Sequence, residues 1–183
     1  LIVLITPSAE PDGHDKHTDW FYKYNKDVTE QSKITRVPYW GKYDLHDNNR
    51  DMLTMSQPEM ENITDTFFKW YPVVLQDNHE SGFLFYVSSA IGPSNFPPSV
   101  RSESTRIAWF EVTQMTAYGM PGVYTHAFGN TMWSPNFMAS VASNHNAVFH
   151  FYETLGNAIG NTLEREVSGS RIKAEWYRPL PPP

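Results

Sequence analysis

Two strand ends bring together residue types able to do chemistry. His79 follows the apolar triplet Val73-Val74-Leu75 and Glu153 follows the run Val148 to Tyr152. An imidazole can ligate a metal and a carboxylate can act as a general base. In open α/β sheets, ligands gather outside the carboxyl ends of strands. The plain alternative is a solvated strand end at Asp77, His79 and Glu80, with Glu153 capping a neighbouring turn. A second cluster, residues 46–51 (HDNNRD), is six consecutive polar residues ahead of a helix. There the planar fork of Arg50 can clamp a carboxylate at two points and Asn49 adds a donor. Its alternative is a loop that solvates itself, with Asp47 and Asp51 neutralising Arg50. His150 and Glu153 have the spacing of a His-x-x-Glu zinc motif, which chelates when both lie on one face of a helical turn. On a strand, positions i and i+3 point to opposite faces, so His150 reads as a structural or surface residue.

These groups must be positioned by regular elements. Leu1–Ile5 is short, continuous and apolar, as a strand buried on both faces would be, and Pro7 stops it. Residues 12–49 read as a long surface loop with one helical turn near Asp19–Tyr24, a length that is uncommon unless the loop builds a site. Ser56-Gln57-Pro58-Glu59 has a capping-box pattern, followed at helical spacing by Met60, Ile63, Phe67 and Trp70. Pro72 ends that helix, and Val73–Leu75 reads as a second interior strand. Residues 81–100 read as an excursion rich in Gly and Pro. Ser102 or Ser104 caps a helix reaching about Tyr118, stopped by Gly119. Gly122–Phe128 is a third strand, Phe137–Ser143 a short helix and Ala147–Tyr152 a fourth strand. This alternation predicts an α/β fold: a mixed, mostly parallel sheet with helices on both faces. Residues 1–177 form this domain, and 178–183 form an extended proline-rich tail.

Composition narrows the function. The 183 residues are 40% hydrophobic and 15% aromatic, enough bulk for a folded core. Fourteen basic against 20 acidic residues give a formal net charge of -6, and no run of Lys or Arg follows a phosphate backbone, so nucleic acid is not the expected partner. Without cysteine, any metal must sit on His, Asp or Glu. No apolar run approaches the roughly 20 residues of a membrane helix, and no membrane span is expected.

Taken in order, several stretches resemble the zinc carboxypeptidases (peptidase family M14), in particular their secreted bacterial-type members. Residues 1–13 (LIVLITPSAEPDG) resemble the family's strand followed by Asn-Pro-Asp-Gly. Residues 43–51 (YDLHDNNRD) resemble its Asp-x-Asn-Arg segment, and 73–81 (VVLQDNHES) resemble the strand bearing its last zinc histidine. Residues 121–157 resemble the stretch ending on its catalytic glutamate. The resemblance implies that His79 is a zinc ligand, Glu153 the general base, and Asn49 and Arg50 the anchor for a peptide's terminal carboxylate. It further implies hydrolysis of C-terminal peptide bonds with zinc as cofactor, and a secreted or periplasmic location.

The chain also departs from the pattern. The family's His-x-x-Glu ligands lie upstream of the strand that residues 1–5 resemble. Glu10 stands in place of the turn's Asn. The oxyanion arginine and the tyrosine that closes over substrate have no clear match. Two readings follow. One is a metallocarboxypeptidase whose other ligands come from a further segment or a companion chain. The other is a non-catalytic carboxypeptidase-like module that binds a carboxylate-ended ligand or a partner protein.

Overall fold

The computed structural model describes residues 1–81, 85–88, 96–120, 122–125, 134–155 and 163–164. The chain divides into two compact units, one comprising Leu1–Trp70 with Asn157–Glu164 and the other Tyr71–Gly156 with Arg165–Pro183. The proline-rich tail expected at 178–183 lies outside the described residues.

In the first unit, helix α1 (Pro11–Trp20) runs on into a wider π-type turn at Phe21–Asn25. The expected long loop is thus largely helical at its start. The reason is local: Pro11 occupies the first turn, where its missing N–H costs nothing, and the Glu10 carboxylate accepts the Gly13 N–H at 3.0 Å. Gly13 is required there, because a Cβ would stand 2.6 Å from both Glu10 Cγ and the Trp40 carbonyl oxygen. Glu10 also accepts from Asn48 Nδ2 at 3.0 Å, which ties α1 to the turn carrying Asn49 and Arg50. Burial pushes the Glu10 carboxyl up; the Gly13 N–H opposes this, and the neighbouring Glu59, Asp12 and Asp44 reinforce it.

Helix α2 (Pro58–Trp70) follows the expected spacing and buries Met60, Thr64 and Phe67, while Trp70 is exposed. Its start depends on Asp51, which has no solvent exposure. One Asp51 oxygen accepts the Gln57 N–H at 2.8 Å; the other accepts Ser56 and Thr54 hydroxyls at 2.6 Å each and lies 2.8 Å from His46 Nε2. Burial alone would raise this carboxyl, but the donors from Ser56, Thr54, Gln57 and His46 outweigh it and hold the group far below the usual carboxylate range. The loop alternative for Asp51, neutralising Arg50, gives way to this capping role.

Leu1–Ile5 is not an interior strand. The five residues have no regular structure, are all exposed, and pair with no strand among the described residues. An apolar run becomes a buried strand only where neighbours satisfy its backbone on both sides.

Among the described residues, the second unit holds a four-stranded sheet of β1 (Val74–Ser81), β2 (Phe85–Val87), β3 (Val123–Tyr124) and β4 (Val148–Leu155), in the order β1-β4-β2-β3. β1 and β4 are parallel, as are β2 and β3, and β2 meets β4 antiparallel. The sheet is therefore mixed and mostly parallel, with helices α3 (Pro98–Ala117) and α4 (Met138–Asn144) packed on β4. β4 is interior, with Val148, Phe149, His150 and Phe151 all buried.

Three expectations change here. Val73–Leu75 is not an interior strand: Val73 precedes β1 and is exposed, and β1 is an edge strand of the described sheet. β1 also continues through the polar residues 76–80, because pairing with β4 outweighs their poor strand propensity. Phe85–Val87, read as part of an excursion, is a strand. α3 starts at Pro98 rather than at Ser102 or Ser104, but it stops at Gly119 as expected: Gly119 has φ +82°, and the Gly119 and Met120 N–H groups return to Thr116 and Met115 carbonyls.

Two outcomes follow. Asp51→Ala should destabilise the protein by roughly 2 to 4 kcal/mol, because it strands two hydroxyls and a helix-start N–H. In the wild type the unfolded chain protonates this residue near the ordinary aspartate value, whereas the folded chain does so only at lower pH. The Asp51 contribution is therefore complete above about pH 4 and fades as pH falls toward the folded value. Urea titrations of both proteins at neutral and acid pH would show the difference between them shrinking with acid. Second, Met55, ahead of α2, has φ +46°, in the left-handed region, and is exposed. Met55→Gly should raise stability by roughly 0.5 to 1 kcal/mol, read as a higher Tm.

Candidate functional site

The eight-residue register of β1 on β4 pairs His79 directly with Glu153. Their Cα atoms are one strand spacing apart, roughly 4.8 Å, and both side chains leave the same face. β2 adds Tyr86 opposite Glu153, and β3 adds Tyr124 opposite Tyr86. A row of His79, Glu153, Tyr86 and Tyr124 thus crosses all four strands. His79 and Glu153 are half-buried, whereas Tyr86 and Tyr124 are buried.

Beneath the row lies an aromatic floor. The Phe151 ring meets His79 edge-on at 5.9 Å and Tyr86 at 5.7 Å, and Tyr86 lies 5.4 Å from Tyr124. Asp77, two residues before His79 and so on the same face, places Oδ2 2.8 Å from His79 Nε2. Burial pushes the Tyr86 phenol up to about 12, and the charge of Glu153 adds to that. Tyr86 therefore remains a protonated donor beside the carboxylate at neutral pH.

His150 stands on the other face, since strand residues alternate. It is buried with Nδ1 2.7 Å from Gln76 Oε1, an acceptor that makes Nδ1 the protonated nitrogen. Its Nε2 lies 3.1 Å from Glu111 Oε2 without forming a hydrogen bond. Burial lowers the imidazole's proton affinity and Glu111 opposes that; the net direction is down, which keeps the ring neutral. Glu111, from α3, also accepts the Tyr152 hydroxyl at 2.7 Å. His150 and Glu153 therefore do not act as a chelating pair, in line with the strand argument.

Asn49 and Arg50 belong to the first unit. They sit in a tight turn, Asn48–Arg50, that Asp47 caps by accepting the Asn49 N–H at 2.9 Å. Arg50 is exposed; its Nη1 donates to the Asn49 carbonyl oxygen at 3.0 Å and lies 3.8 Å from Asp47 Oδ2. The structure therefore joins His79 to Glu153 in one unit and Asn49 to Arg50 in the other.

Zinc is the metal that the resemblance implies. Among the described residues no group of three His, Asp or Glu side chains is placed to hold a metal ion. The donor set fits one ligand position only, a half-buried imidazole with a second carboxylate in register beside it, whereas catalytic zinc needs about three protein ligands.

Sequence reading missed Tyr86 and the contact between Asp77 and His79. Signals for both were present: the apolar run 83–87 could have marked a strand, and positions 77 and 79 share a face as soon as that segment is extended. Spectrophotometric titration should find Tyr86 ionising only near pH 12, after the exposed tyrosines, and Tyr86→Phe should remove one late-titrating phenol. Its loss from the early phase instead would show that burial does not control this group.

Compared with protein-family models, curated proteins and solved structures, the chain matches none.

Proposed function

We propose that the face bearing His79 and Glu153 is part of a carboxypeptidase-type zinc site, and that the protein takes part in hydrolysis of C-terminal peptide bonds. The observation that carries the reading is the register pairing of these two residues on adjacent parallel strands. It sets a metal-competent imidazole beside a carboxylate able to act as a base, as the general-base step needs. Zinc, when bound, would polarise the scissile carbonyl and make the attacking water more acidic.

The chain's own contributions are distinct. Glu153 would take the proton of the attacking water, and His79 would hold the metal as one of its ligands. The remaining ligands would have to come from outside the described residues, on another segment or on a companion chain. For Asn49 and Arg50, in the first unit, the resemblance and the bidentate chemistry of arginine support a role in binding a terminal carboxylate. A secreted or periplasmic setting belongs to the same reading.

The test compares an N-blocked dipeptide having a free C-terminus with its C-terminal amide, in excess zinc. Turnover requires the remaining zinc ligands as well; with them supplied, the free acid alone should be turned over, and Glu153→Gln should lower that at least a hundredfold. Arg50→Ala should weaken binding of the free acid roughly ten- to a hundredfold, and Arg50→Lys should also weaken it, since a lone ammonium loses the two-point contact. Selective binding without turnover would favour the non-catalytic module. Equal treatment of acid and amide by the wild type would remove the carboxylate-binding reading altogether.

A further inference from the structure

Asp51 starts α2, yet one of its partners is a side chain that the chemistry assigned so far does not use. His46 Nε2 lies 2.8 Å from Asp51 Oδ1; the carboxylate is fully buried, whereas the imidazole is 46% exposed. The backbone of His46 is held as well, its N–H donating to Asp44 Oδ1 at 3.1 Å and its carbonyl oxygen accepting from Gln57 Nε2 at 3.0 Å. Among the described residues, Nδ1 of the same ring has no protein partner. The loop therefore presents a half-exposed imidazole gripped at one nitrogen by a buried anion.

We propose that His46 and Asp51 form a second acid–base centre, in which Asp51 is a positioning residue and His46 Nδ1 is a general base for the hydrolysis of aryl esters. A carboxylate only accepts, and the Thr54, Ser56 and Gln57 donors gathered on Asp51 favour its ionised form, so a neutral imidazole facing it directs its single N–H there. Protonation at Nε2 leaves the lone pair on Nδ1. A buried carboxylate behind an imidazole holds the base of serine hydrolases in the same manner, through the other ring nitrogen.

The class of substrate follows from what a lone dyad can supply. The leaving group of an aryl ester departs as a phenolate and needs no proton from the protein, whereas the leaving amine of an amide does. As the oxygen of water bonds to the acyl carbon, one of its protons passes to Nδ1. The bond between that carbon and the phenolic oxygen then breaks, its electron pair leaves on the phenolate, and the imidazolium returns its proton to solvent. The products are a carboxylic acid and a phenolate. Leu45, next in sequence to His46, is 81% exposed and offers the acyl or aryl group an apolar contact. The centre lies in the first unit, on residues outside the zinc-type reading, and it needs no metal.

The experiment uses the full 183-residue chain with p-nitrophenyl acetate as the probe, at about pH 8, with and without EDTA. The wild type should release nitrophenolate equally in both conditions. His46→Gln should lower the rate about tenfold or more, and Asp51→Asn should lower it too. His14→Gln removes an exposed imidazole of α1 and should change nothing. A rate that EDTA abolishes, that survives unchanged in His46→Gln or Asp51→Asn, or that falls as far in His14→Gln would overturn the proposal. Long-range 1H–15N spectra of the wild type with 15N-labelled histidine, assigned with His46→Gln and taken at about pH 9, well above the ordinary histidine value, report which ring nitrogen carries the proton. A protonated Nε2 with a pyridine-type Nδ1 is expected, and a proton on Nδ1 would equally overturn the proposal. The spectra and the His46→Gln rates decide the matter even where Asp51→Asn fails to fold.

Discussion

The parallel ladder between β1 and β4 is the constraint on which the second unit depends, because it alone converts two distant stretches of sequence into one chemical surface. Eight consecutive pairs, from Val74 with Val148 to Ser81 with Leu155, lock the register. A slip of one residue would turn His79 away from Glu153 and toward the opposite face, since side chains alternate along a strand. The same lock places Gln76 beside His150. The row of His79 and Glu153 and the buried histidine therefore have one origin and lie on opposite faces of the same strand pair.

Each face of β4 handles its polar groups differently. On one, Glu153 stands in a half-buried row with His79 and two buried phenols, over an aromatic floor that strengthens electrostatic contacts by keeping water away. On the other, His150 is fully enclosed and stays neutral, spending its proton on Gln76 while α3 brings Glu111 to Tyr152. Burial pushes the Tyr152 phenol strongly up, and the bond and charge of Glu111 reinforce it, so this contact keeps its proton. The second face holds α3 through Glu111, and the first leaves only His79 and Glu153 of its row partly exposed.

The first unit solves a similar problem with one carboxylate. Asp51 is buried at the start of α2, accepts from a backbone N–H and two hydroxyls and has His46 Nε2 within 2.8 Å, so its charge is compensated by several donors at once. It ends the polar segment in which Asn49 and Arg50 are found, and the Asn48–Arg50 turn is anchored on its other side by Glu10. Backbone held at both ends in this way has few other conformations open to it.

The sequence by itself determined what depends on neighbours a few residues away. The spacing of Met60 and Phe67 after a Pro-containing start defined α2, Gly119 defined the end of α3, and the apolar run at 147–152 defined most of β4. Alternation along that strand was enough to separate His150 from Glu153. Tertiary structure decided everything that needed a partner far along the chain. β1 is polar over most of its length and exists because β4 satisfies its backbone; Leu1–Ile5 is apolar and is no strand because nothing described does the same for it. The pairing of Asp77 with His79 needed segment 76–80 to be extended, which its composition disfavours. Hydrogen-bond partners across a sheet are set by register, and register is a property of two strands at once, which neither stretch of sequence encodes alone.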